Sequence, residues 1–211
     1  MKVVEVFADV VCPFTHVGLH RFVDRLVATG ADVAVRVRAW PLELVNGAPL
    51  DPAMVAEKVA VLRCSVAPDL FAGFDPARWP STSLPALALV AAAYRVDDVT
   101  GLRASLLVRD VLFEDDADIT DPAVLAAIAA ALGVDDPSSG EADVLADWRD
   151  GRARGVQGSP HFFVDGEGFF CPALHIEHVD GHLVVRPDPG SFDAFVDRCL
   201  AEPEREPGPV R

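Results

Sequence analysis

Positions 3–10, VVEVFADV, are almost all apolar and rich in β-branched residues. Such a run reads as a buried strand. From Pro13 to Thr29 the period changes. Val17, Leu19, Phe22, Val23, Leu26 and Val27 recur at helical spacing, and Gly30 is a natural stop. VAVRVRAW (33–40) then alternates apolar and basic positions, which predicts a strand with one wet face. Strand, helix and strand at this spacing make a βαβ unit.

The next hundred residues carry no convincing strand pattern. Helices are predicted at about 52–65, 83–95, 98–113, 121–132 and 140–153, an all-helical insertion over 51–153. Asp121-Pro122 supplies an N-cap and a first-turn proline, and Gly133 closes that helix. Strand pattern returns at HFFVDG (161–166), where Asp165-Gly166 is a turn signal. HIEHV (175–179) and HLVVRP (182–187) flank Asp180-Gly181 and predict a hairpin, and SFDAFVDRCLAE (191–202) predicts a final amphipathic helix. The tail 203–211, PEREPGPVR, is charged and proline-rich, the composition of a disordered segment.

Composition narrows the function classes. The 211 residues suit one elaborated domain or two small ones, and much of the 51% hydrophobic content is Ala and Val. A formal net charge of −15 repels phosphate backbones and anionic lipid, so neither nucleic acid nor a membrane surface is expected as partner. The longest apolar run, LPALALVAAAY (84–94), is too short to span a bilayer, and MKVVEVFADV is too short in its apolar part for a signal peptide. The four cysteines, Cys12, Cys64, Cys171 and Cys199, are far apart and form no CxxC pair. A reduced, cytoplasmic protein is the simplest reading.

Cys12 falls where the first strand ends and the first helix begins. The first amides of a helix lack internal partners and, with the macrodipole, favour negative charge there. Cysteines so placed have pKa values near or below neutrality, against about 8.5 for a free thiol. Pro13 suits the first helical position, and Phe14 presents an aromatic surface beside the sulfur. Thr15 is expected to offer its hydroxyl to a thiolate, and His16, one turn on, to add charge when protonated. A second stretch, GVQGSPHFFVDG (155–166), puts Ser159-Pro160 directly before an apolar strand, with glycines at 155 and 158. A proline there suggests a cis peptide whose preceding residue pairs with an extended, peptide-like ligand. His161 follows it and is expected to line the cleft.

Together these stretches resemble the DsbA-like branch of the thioredoxin superfamily: a strand, CPxx opening a helix, a helical insertion, then GVxGxP leading into an edge strand. The resemblance extends through WPLEL (40–44) and FEDDADITDPAVLAAIAAALGVD (113–135), the latter like the insertion of cytosolic DsbA-like proteins. It also covers 2-hydroxychromene-2-carboxylate isomerases and kappa-class glutathione transferases, which carry serine where Cys12 stands. It implies an α/β, thioredoxin-like fold with a large helical insertion, the thioredoxin-like part being 1–50 with 154–202. It further implies a nucleophilic Cys12 and a substrate-contacting Pro160 preceded by Ser159.

The departure is at position 15. Redox-active members have CPxC, and this chain has CPFT. A second thiolate that would resolve a mixed disulfide internally is missing from the motif. An external thiol must release the product, with glutathione as the obvious co-substrate and no bound cofactor. Cys171 reads as a strand cysteine outside the chemistry, with resolution of the mixed disulfide as its alternative. Cys64 and Cys199 read as core or boundary residues. His175, His178 and His182 do not converge on a metal, and His16 with His20 has two-ligand spacing but no evident third ligand. Three functions therefore stand: a single-cysteine thiol–disulfide oxidoreductase, a glutathione-dependent isomerase or transferase, and a non-catalytic binding protein on the same scaffold. The partner is a thiol or disulfide, small molecule or protein, and a homodimer is left open.

Overall fold

The N-terminal β-branched run forms β1 (Lys2–Ala8), which ends two residues earlier than its hydrophobicity suggests, because the chain leaves the sheet at Asp9. A computed structural model describes residues 2–201; the tail 203–211 lies outside the described residues. Helix α1 (Pro13–Thr29) follows and ends at Gly30, whose φ of 65° is the left-handed cap that glycine takes without strain. β2 (Val33–Ala39) pairs parallel with β1, Val4 against Val35 and Val6 against Val37.

Between β2 and β3 every regular element is helical. A short α2 (Leu42–Asn46), unmarked by any sequence period, precedes α3 (Pro52–Ser65), α4 (Leu84–Val96), α5 (Asp98–Phe113), α6 (Pro122–Leu132) and α7 (Glu141–Ala153). Three of these starts are set by an aspartate N-cap accepting from a first-turn amide: Asp51 for α3, Asp97 for α5 and Asp121 for α6. α4 is Ala-rich and almost wholly buried, so its neighbours approach closely. A Cβ at Gly140 would stand 2.1 Å from the Ala88 carbonyl oxygen. Tyr94, the single tyrosine, accepts from the Val37 amide (2.8 Å) and donates to the Val35 carbonyl (3.0 Å), tying α4 to the sheet edge at β2.

β3 (His161–Val164) returns antiparallel to β1, and Asp165-Gly166, both at positive φ, turn it into β4 (Glu167–Phe170). The sheet order is β2-β1-β3-β4. β4 leaves no clear mark in the sequence pattern because it is short, mostly exposed and lies at the sheet edge. β5 (Leu174–Val179) and β6 (His182–Pro187) form the expected hairpin, which stands as a sheet of its own, and α8 (Pro189–Leu200) is the last described element.

Two large apolar cores result, beside a small cluster of Phe7, Trp40 and Phe163. One joins the sheet to α1 and α8 through Val4, Val35, Leu19, Phe22, Phe162 and Phe195. The other fills the helical segment and takes in Val10, Val11 and Val17. The segment around Cys12 therefore runs along the seam between them. No described helix is long and apolar enough to cross a membrane.

Candidate active site

The turn from β1 to α1 is organised by Asp9, a residue that sequence reasoning passed over. Its carboxylate accepts from the amides of Val11 (3.3 Å) and Leu42 (2.6 Å) and from the Ser83 hydroxyl (3.2 Å). Its backbone carbonyl accepts from the Cys12 amide (3.3 Å) and from Arg109 Nη2 (3.2 Å). Asp9 is fully buried, and that burial raises its pKa to about 6, against the pull of these hydrogen bonds and of Arg109. Arg109, on α5, is itself fully buried; its pKa falls to about 10 through desolvation, partly offset by Asp9 and Cys12. It donates to the Ser105 carbonyl and hydroxyl one turn back, while its Nε has no partner. A cation inside LLVRDVLF has no sequence signature as a site residue; only tertiary packing brings it to the Asp9 carbonyl, three residues before Cys12.

Cys12 is the N-cap of α1, with extended backbone, and Pro13 is the first helical residue. No acidic side chain sits in the first turn to offset the helix dipole. Cys12 is 3% exposed. Its thiol donates to the Ser159 carbonyl oxygen at 3.0 Å, a contact that only the protonated sulfur makes. The Ser159–Pro160 peptide bond is cis. The loop that carries it rests on α1, since a Cβ at Gly18 would lie 3.7 Å from Pro160 Cγ. Residues nearly 150 positions apart thus meet at one place.

Thr15 does not offer its hydroxyl to the sulfur as expected. Its Oγ1 is 2.7 Å from Ser159 Oγ, which also accepts from the Asp9 amide at 2.9 Å. Thr15 is fully buried, so its hydroxyl is spent on holding the two loops together. His16 departs further from the expected role of adding charge beside the cysteine. Its side chain is fully buried, with Nε2 2.6 Å from Glu114 Oε1 and its ring packed among Phe71, Phe113 and His20. Burial lowers the His16 pKa, more than Glu114 raises it. Burial pushes Glu114 the other way, but His16 and the amides of Phe71 and Ala72 together hold it below the carboxylate range. At neutral pH the pair is a neutral imidazole N–H donating to a carboxylate. Helical geometry explains the placement: four residues past the N-cap, a side chain has risen about 6 Å along the axis, off the helix end and onto its flank.

Phe14 is half-buried and packs on the helical core. His161 is 5% exposed; its Nδ1 accepts from the Gln157 amide (3.0 Å) and its ring stacks on Phe163, so it closes the loop rather than facing outward. Burial, then Arg154, lowers its pKa. Phe170 packs against Gly158 so tightly that a Cβ there would lie 2.9 Å from the ring.

Cys171 follows β4, its backbone in the left-handed region at φ 45°, and its amide donates to the Pro160 carbonyl at 3.1 Å. It is buried, and burial, reinforced by Cys12, pushes its thiol up to about 12. Cys199 is buried, whereas Cys64 is exposed on α3 rather than held at a core boundary.

A family model described as a DSBA-like thioredoxin domain matches residues 3–184. Among solved structures, the chain is similar to a probable DsbA oxidoreductase from Streptomyces coelicolor: TM-score 0.65, 20% identity, covering 100% of this chain and 94% of that one. It is also similar to the cytosolic disulfide reductase DsbM from Pseudomonas aeruginosa, with TM-score 0.59, 16% identity and coverage of 92% and 97%. A third likeness is to a 2-hydroxychromene-2-carboxylate isomerase, with TM-score 0.57, 16% identity and coverage of 80% and 88%. A comparison with curated proteins finds no match.

Proposed function

The chain belongs to the DSBA-like thioredoxin domain family, and from that premise we propose that it is a single-cysteine thiol–disulfide oxidoreductase with Cys12 as nucleophile and a small thiol such as glutathione as the resolving partner. The observation that carries this reading is the placement of Cys12. It stands at an uncompensated helix N-terminus, against the Ser159 carbonyl, with Thr15 where a second thiol would stand.

The chemistry runs in two exchanges. The Cys12 thiolate attacks one sulfur of a disulfide R–S–S–R′, forming Cys12–S–S–R and releasing R′–S⁻. A second thiolate, G–S⁻, then attacks the sulfur of R. The products are G–S–S–R and the Cys12 thiolate, ready for another turn. The Cys12 S–H contact to Ser159 is given up on ionisation, leaving that carbonyl open to an extended peptide amide. The neighbours of Cys12 in sequence, Pro13 and Phe14, and the cis Pro160 that follows its carbonyl partner Ser159, are the residues we assign to substrate contact.

The resolving thiol is external because the internal candidate is unsuited. A thiol raised to about 12 is protonated at neutral pH, so Cys171 has little thiolate with which to attack. The similar DsbM protein has been solved with GSH, which agrees with glutathione as the small thiol here. A cytoplasmic setting fits that choice, since glutathione keeps thiols reduced there.

The test compares Cys12 with Cys64 in one molecule. Cys64 is exposed and Cys12 is 3% exposed, so accessibility alone favours Cys64. Site-resolved alkylation at pH 7 should nevertheless label Cys12 first, and Cys12→Ser should abolish deglutathionylation of a glutathionylated peptide. Faster labelling of Cys64, with activity surviving in Cys12→Ser, removes the reading.

A further inference from the structure

Beyond the Cys12 chemistry, we propose that His16 and His20 of α1 and Asp110 of α5 form a binding site for a zinc-class divalent cation, with Glu114 orienting His16. The two histidines are four residues apart and so project from one flank of α1. Asp110 and Glu114 are also four apart, at the C-terminal end of α5. Each histidine meets one carboxylate: His20 Nε2 to Asp110 Oδ1 at 2.8 Å, and His16 Nε2 to Glu114 Oε1 at 2.6 Å. One ligand atom from each of His16, His20 and Asp110 lies within 4.8 Å of the other two. Sequence spacing alone showed two ligands; packing of α5 on α1 supplies the third.

A second observation points to a ligand. The tautomer that serves Glu114 leaves Nδ1 of His16 as a bare lone pair, and Nδ1 is buried with no hydrogen-bond partner. An orphaned buried acceptor in a native fold calls for an explanation, an ion being one. A histidine that donates one ring N–H to a carboxylate while offering the other nitrogen is the usual arrangement around a bound metal. Two imidazoles and one carboxylate suit zinc, with a fourth position open to water. His20 and Asp110 are partly open to solvent, at 22% and 36% of side-chain exposure, which gives a cation a way in. Glu114 is committed to the Phe71 and Ala72 amides as well, so its part is to hold the His16 ring. The site lies one helical turn from Cys12, whose carbonyl accepts from the His16 amide at 3.1 Å. It pins the helix that bears the nucleophile to the helix that carries Arg109.

The experiment uses the full chain with Cys12→Ser and Cys64→Ser, which removes the thiol at the candidate active site and the exposed one. Zn²⁺ is titrated calorimetrically, and Co²⁺ serves as the absorption probe. One equivalent of Zn²⁺ should bind and raise the thermal midpoint, and Co²⁺ should give d–d bands without a sulfur charge-transfer band. His20→Gln and Asp110→Asn, both at partly exposed positions, should each weaken binding by at least about 100-fold. Glu114→Gln should cost roughly 10–100-fold, the range for an outer partner. His175→Gln, at an exposed histidine 3.7 Å from Glu177, should change nothing. Absence of saturable binding, equal affinity in His20→Gln and Asp110→Asn, or a sulfur-to-cobalt band overturns the proposal.

Discussion

Ser159 is the joint between the cysteine turn and the proline loop, and its side chain can be tested apart from its backbone. Ser159→Ala keeps the carbonyl that receives the Cys12 thiol and removes only Oγ. That oxygen accepts from the Asp9 amide at 2.9 Å and pairs with Thr15 Oγ1 at 2.7 Å, all three residues being buried. Stranding the Asp9 amide costs about 1–3 kcal/mol, and losing the Thr15 bond about 0.5–1.5 kcal/mol, so Ser159→Ala should destabilise by about 1.5–4.5 kcal/mol. Thr15→Val keeps the shape and removes the hydroxyl, at about 0.5–1.5 kcal/mol. Because both changes delete the same bond, the double variant should be less destabilised than the sum, with a coupling near 1 kcal/mol. The assay is urea unfolding of the four reduced proteins at pH 7. Additivity within about 0.3–0.5 kcal/mol, the expectation for unconnected sites, means that the Thr15 hydroxyl is not on Ser159 and the account of position 15 fails.

Two further outcomes follow from the same network. Asp9 moves from its ordinary 3.8 to about 6 on folding, so the folded state binds the extra proton between those values and stability falls as pH rises through them. The penalty is absent below about pH 4, complete above about 6 and on the order of 3 kcal/mol. Urea midpoints measured from pH 4 to 7 should slope less in Asp9→Asn than in the wild type, and parallel slopes refute the shift. Thr15→Cys puts a second thiol where the CPFT motif lacks one, so it should add dithiol-type reduction of insulin that the wild type lacks. Equal turnover in the two proteins shows that another cysteine already resolves.

The elements of this chain are local. Apolar periodicity, the aspartate caps at 51 and 121 and the glycine stops at 30 and 133 act within a few residues, so the α1, α3, α5 and α6 boundaries match the sequence reading closely. Cys12 and Ser159-Pro160 were also legible, because a cysteine at a strand–helix junction and a glycine-flanked proline are local statements about backbone. What the side chains at those places touch was not legible. Thr15 and His16 follow Cys12 in sequence, yet one turns to Ser159 and the other to Glu114, partners 144 and 98 positions away. Asp9 and Arg109 carry no local mark at all. A buried charge is tolerable only where distant groups converge to satisfy it, and that convergence exists only after the helical segment has packed against the sheet. The third member of the histidine cluster, Asp110, comes from the same packing. Sequence alone determined where a nucleophile could be presented; the tertiary structure decided what surrounds it, because burial and hydrogen bonding are properties of the assembled core and not of any one segment.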